Sequence, residues 1–188
     1  MSSSSDAYHH GDLARALESA AMQLLERLPA ADVSLREVAR AANVSHNAPY
    51  HHFSDRRGLL KVLAERSMAD LNAAVRAGAA EAADSNVSLR QAGAAYIRFA
   101  VERANAFNVI YDPTVCVPGS PTPTMAPLIF ELEGILGSSA AATGRTSAGE
   151  IAALWGVVHG LGTLAAAGHL TLDQALDAWS TVVAVSPA

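Results

Sequence analysis

Residues 34–60 read SLREVARAANVSHNAPYHHFSDRRGLL, and their spacing predicts two short helices, a tight turn between them and the start of a third. Ser34 and Glu37 have the S-x-x-E spacing of a capping box, which satisfies orphan N–H groups at a helix start. Leu35, Val38, Ala39 and Ala42 then recur at three and four residues and give that helix one apolar face. Asn43 follows where the chain must turn, and Asn tolerates the left-handed conformation that ends helices. Val44 is apolar and plugs the turn into the core. Ser45 is a suitable N-cap for a second helix running through Tyr50 to about His52. Pro49 lacks an N–H, so this second helix is expected to open as a tighter 3₁₀ turn. Ser54 or Asp55 caps the helix after it. Two short helices joined by a turn of a few residues make a helix-turn-helix, whose second helix enters the major groove of DNA.

The same stretch resembles the DNA-binding domain of the tetracycline-repressor-like (TetR) family of bacterial transcription regulators. The resemblance covers residues 8–63 and is carried by LREVARAANVS and PYHHFSDRRGLL. The family pattern is an aromatic, two variable positions, Phe, a polar-acidic-basic run and paired leucines, here Tyr50, Phe53, Asp55, Arg56, Leu59 and Leu60. Asn43 stands where the family usually has Gly. A weaker resemblance, over about 85–185, rests on Trp155-Gly156-Val157-Val158-His159-Gly160, which looks like the WHG-type regulatory domain of one TetR subgroup. The resemblance implies a dimeric repressor with paired recognition helices on a palindromic operator. A small apolar effector entering the body would release it.

Composition agrees with a folded helical protein. The chain has 188 residues, 51% apolar and 16% charged, and frequent alanine with few β-branched residues favours helix. Net charge is −5, which by itself argues against DNA. The distribution changes that: residues 1–66 hold eight Lys/Arg against eight Asp/Glu, and residues 67–188 hold five against ten. The excess of acid therefore lies entirely in the second part, and any DNA footprint is local to the recognition helix. A single cysteine, Cys116, excludes an internal disulfide, and no apolar leader opens the chain. A cytoplasmic location is expected.

An all-α fold in two domains follows. Residues 1–57 are expected to form the helix-turn-helix head, with 1–7 disordered and a first helix from about residue 8 or 11 to Arg27. Residues 58–188 form a helical body for effector binding and dimerisation. The third helix should run from Asp55 to about residue 83 and link the two. Ser88 should cap a helix to about Asn105, and residues 106–111 should make a short helix or turn. Residues 112–127 hold five of the eight prolines and read as an extended loop. Helices follow at about 123–138, 147–167 and 171–184, separated by Gly144 and Gly168. The apolar run 151–172 is interrupted by Trp155, His159, Gly168 and His169 and lacks a basic flank, so it reads as a buried helix and not a membrane span.

The candidate DNA contacts are Ser34, Ser45, His46, Asn47, Tyr50, His51, His52, Arg56 and Arg57. His46 and Asn47 sit where a recognition helix meets base edges, Asn being able to pair both edges of adenine. Ser34, Ser45, Tyr50, Arg56 and Arg57 lie at helix starts and suit phosphates. The bland reading is that all are exposed caps and polar faces. An effector pocket would draw on Tyr96, Phe99, Phe107, Tyr111, Met125, Ile129, Trp155 and His159, with His159 as its polar group; most large residues of this part also read as core. Small residues Ala152, Gly156 and Gly160 at four-residue spacing, with Leu164, Leu176, Trp179 and Val183, mark either internal packing or a subunit interface. No metal or cofactor is expected, because adjacent histidines (His9/His10, His51/His52) diverge by about 100° on a helix and cannot chelate one ion. No paired acids, nucleophile-base arrangement or phosphate loop supports an enzyme. Cys116 reads as an ordinary residue, with a redox sensor as the alternative. A DNA binder without a ligand also stays open.

Overall fold

The computed structural model describes residues 4–80, 84–117 and 119–184. Among them are eight α-helices, two short 3₁₀ segments and no strand. The helices are α1 (Ser4–Leu25), α2 (Leu35–Ala41), α3 (Arg56–Ala80), α4 (Ser85–Glu102), α5 (Ala104–Ile110), α6 (Met125–Ala141), α7 (Ala148–Ala166) and α8 (Leu172–Ala184).

The turn after α2 forms as its residues demand. Ser34 accepts the N–H of Glu37 at 3.3 Å and donates its hydroxyl to the Glu37 carboxylate at 3.0 Å. Asn43 takes φ 54°. Its N–H bonds the Arg40 carbonyl and that of Val44 the Ala39 carbonyl, the paired bonds of a Schellman ending. Leu17, Ala21, Leu24 and Leu25 of α1 close over Leu35, Val38, Phe53, Leu59 and Leu60, all buried. This is the three-helix head.

Helix α3 leaves the head and becomes the axis of the body. Its Leu63, Met68, Leu71 and Val75 are buried in the same continuous core, so the expected boundary at residues 57/58 falls inside the first turn of a helix that both parts share. Helices α4, α5 and α6 pack on α3, and α7 and α8 pack on α4. Two close approaches fix α4. Gly162 of α7 lies against Ala100, where an added Cβ would sit 3.1 Å from the alanine methyl. Gly93 lies under the indole of Trp179, and a Cβ there would come within 2.1 Å of the ring.

Several expected boundaries move. Helix α1 begins at Ser4, inside the segment expected to be disordered, since extending a formed helix adds one hydrogen bond per residue fixed; residues 1–3 lie outside the described residues. The expected end of α3 near residue 83 also lies outside them. Asp84, not Ser88, caps α4, accepting the Val87 N–H at 2.9 Å; the Ser88 hydroxyl donates to the Ala79 carbonyl instead. Thr171 and Gln174 cap α8 reciprocally. Gly144 and Gly168 carry the positive φ of helix endings. Helix α7 is long and apolar enough to cross a membrane by length and composition; in this fold one side of it packs on α4 and α8.

Candidate DNA-reading head and effector cavity

In the head, the second element of the helix-turn-helix is a single 3₁₀ segment, Ala48–His51. Pro49 sits in its first turn, where the missing N–H costs nothing. Ser45 supplies its backbone carbonyl to the Ala48 N–H at 3.0 Å, and no side chain caps the segment, so the expected Ser45 cap does not form. Ala48 and Pro49 are buried and pin the segment down, which leaves Ser45, His46, Asn47, Tyr50 and His51 exposed. Tyr50 is 58% exposed, a bare aromatic on the reading element.

Besides Ser34, whose hydroxyl is engaged by Glu37, three expected DNA contacts have protein partners in this structure. The ring of His52 lies 3.1 Å from the Glu18 carboxylate of α1. The Arg56 guanidinium donates to the carbonyls of Ala30, Ala31 and Val33 at 2.8, 2.8 and 3.2 Å. It thereby ties α3 to the 3₁₀ turn Ala30–Asp32. Arg57 donates through Nε to the carbonyl of Thr114 at 3.0 Å, a bond from the head to a turn of the body. That turn is held by Asp112, whose carboxylate accepts from both the N–H and the hydroxyl of Thr114.

An open cleft of about 930 Å³ lies between α3, the 110–122 segment, α6 and the start of α7. Four expected residues line it: Tyr111, Met125, Ile129 and Trp155. Tyr96, Phe107 and His159 stand behind Tyr111 and do not line it. The Tyr96 hydroxyl is shared between Tyr111 at 2.7 Å and His159 Nδ1 at 2.9 Å, and Phe107 and His159 pack against the Tyr111 ring in tilted and edge-on geometry, with centroids at 5.2 and 4.5 Å. Burial raises the pKa of both tyrosines and lowers that of His159, so the three form a neutral strut bracing the cavity wall. Phe99 is buried elsewhere, beneath the Arg103 guanidinium. The sequence reading missed Lys61, Glu65 and Met68 of α3, which line the cavity. Their spacing of four and three residues on one helix face was the available signal. Cys116 also lines it; burial, then Asp112 and Glu65, push its thiol pKa up against the opposing pull of Lys61. The thiol stays protonated, which makes it a poor redox nucleophile.

The small-residue stripe of α7 is largely uncovered, although Ala152 at its start also lines the cleft. Ala152 and Gly156 are exposed, Gly160 is half-buried, and a Cβ on either glycine would meet nothing within 4 Å. Trp155 and Leu164 are each 44% exposed beside it. Leu176 is half-buried, but Trp179 and Val183 belong to the core, at 1% and 8% exposure. This corrects their expected place at an interface. The α8 face that carries Trp179 turns onto α4, where its Nε1–H donates to the Arg90 carbonyl at 3.0 Å.

Residues 89–185 match the model of the tetracyclin repressor-like C-terminal domain, and residues 17–63 match that of the bacterial regulatory proteins of the tetR family. The chain belongs to the TetR family. TetR-like structures share its fold. A protein of unknown function from Rhodococcus sp. RHA1 is 29% identical, with a TM-score of 0.76 over 96% of this chain and 98% of that one. PfmR, a TetR family transcriptional regulator from Thermus thermophilus, is 20% identical, with a TM-score of 0.61 over 90% and 95%. AibR, solved with isovaleryl coenzyme A and operator DNA, is 17% identical, with a TM-score of 0.63 over 90% and 97%. No curated protein matches the chain. The protein is a TetR-family transcriptional regulator with a DNA-binding head.

Proposed function

We propose that this TetR-family protein is a ligand-released repressor acting as a homodimer on a palindromic operator in the cytoplasm. His46, Asn47, Tyr50 and His51 are the exposed groups of the reading element, and they are assigned to the operator together with the helix-start serines Ser34 and Ser45. Two such heads read half-sites about one turn of DNA apart, ~34 Å. The second copy packs on the bare α7 stripe, since a two-fold interface supplies the symmetry that paired heads need.

The observation that carries ligand release is the bond from Arg57 to Thr114. The 110–122 segment contributes Tyr111, Val115 and Cys116 to the cavity and touches the first turn of α3 through Thr114. An effector in the cavity that prefers a different setting of this segment would shift the head with it. The coupling equals its differential affinity for the two states. The test begins with selection of bound DNA from a random pool. Gel-shift titration of the recovered site then compares Asn47→Ala with the unaltered protein. A base contact predicts a loss of about 1–3 kcal/mol on the site and almost none on random DNA. Equal losses on both would remove Asn47 from the reading set. An effector lowers operator affinity in the same titration, and Arg57→Ala uncouples that response.

A further inference from the structure

We propose that the cavity takes an amphipathic organic cation, a ligand with an apolar body and an alkylammonium or similar positively charged head. This rests on the reading of the cavity as an effector site and adds the sign of the ligand's charge. At about 930 Å³ the space is large enough to bury a drug-sized apolar body. Its charged lining among the described residues is Glu65, Glu133 and Lys61. Lys61 precedes Glu65 by one helical turn on α3 and offsets one carboxylate, which leaves the wall with a net negative charge. Glu65 is held in place by the Thr122 hydroxyl, which donates to it at 2.5 Å.

Aromatic rings supply the second half of the recognition. Tyr111, Phe130 and Trp155 all line the cavity, and the last two keep 70% and 44% of their surface uncovered. Aromatic faces on a wall that also carries carboxylates attract a weakly hydrated cation through the ring quadrupole. A carboxylate head at this wall would be repelled by the half-buried Glu65, with the exposed Glu133 adding a weaker, solvent-screened repulsion. The thiol of Cys116 samples the same field: Asp112 and Glu65 both add to the rise that burial causes, against the opposing pull of Lys61.

The test uses the full-length protein and three probes with one ten-carbon tail, below the concentrations at which they form micelles. These are decyltrimethylammonium, decanol and decanoate, measured by titration calorimetry at pH 7. The expected order is ammonium, alcohol, carboxylate, with the ammonium about tenfold tighter than the carboxylate. Glu65→Gln keeps an acceptor for Thr122 and should reduce the ammonium's advantage about threefold while leaving decanol unchanged; Glu133→Gln should act in the same direction. Decanoate or decanol binding as tightly as the ammonium would overturn the charge assignment and leave the effector site standing. An ammonium preference untouched by both glutamine variants would overturn it as well. Failure of all three probes to bind would sink the effector-site reading, and this proposal with it.

Discussion

Replacing Arg56 by alanine separates a DNA contact from a scaffold contact. At a helix start beside the reading element, an arginine is expected to hold a phosphate. In the fold its guanidinium instead donates to three backbone carbonyls, those of Ala30, Ala31 and Val33. These bonds join α3 to the segment between α1 and α2, so they set the position of the helix-turn-helix on α3. A bond to a charged donor is worth up to ~1.5–3 kcal/mol, but those to Ala30 and Ala31 are exposed, and their carbonyls regain water when the arginine is lost. The sum is then about 1–3 kcal/mol for Arg56→Ala. For a chain of this size each kcal/mol moves the melting temperature by ~2–4 °C, which predicts a fall of about 2–12 °C by circular dichroism. Arg56→Lys keeps the charge but not the planar fork, and should recover only part of the loss. In the companion assay, operator affinity by fluorescence anisotropy across a salt series, the slope should stay unchanged. A phosphate contact would lower it by about 1. A slope that falls by that amount with an unaltered melting temperature would refute the scaffold role.

Three further outcomes follow from the packing. Gly93→Ala places a methyl inside the indole of Trp179 and should cost ~2–4 kcal/mol through overpacking and loss of the bond to Arg90; a denaturant midpoint within error of the parent would show that α8 does not seat on α4. Gly160→Arg meets open space in the single chain, so circular dichroism should stay unchanged while light scattering shows loss of the dimer, whereas a mutant that stays dimeric and folded would move the interface off this stripe. Burial lowers the pKa of His159 below its ordinary value of 6.5, so the unfolded chain takes up the proton first. Its contribution to stability is complete above pH 6.5 and is lost as pH falls through the lower folded value. His159→Gln should flatten that part of the melting-temperature profile, and an identical profile in the variant would rule the residue out.

The sequence by itself determined most of what depends on neighbours within a turn or two, the caps expected at Ser45 and Ser88 excepted. Ser34 with Glu37 and the Asn43 ending are interactions over three to five residues, and Gly144 and Gly168 likewise turn the chain locally. Each formed where its spacing placed it, because backbone capping and φ preferences act locally. Helical periodicity marked the buried faces of the long helices for the same reason, and the helix-turn-helix with its reading element was legible from residues 34–60 alone. What tertiary structure decided was which partner each face meets. Arg56 and Arg57 look alike at a helix start, yet one binds carbonyls 23–26 residues back and the other a carbonyl 57 residues on. Trp179 shares a helical face with interface-like residues, and only Gly93, far away on α4, makes room to bury it. Lys61 and Glu65 carry no local signal of a site, and only the packing of the 110–122 segment and α6 beside α3 places them on a cleft wall. Amphipathicity tells which side of a helix turns inward; the element that covers that side depends on packing between segments distant in the chain, which no local spacing encodes.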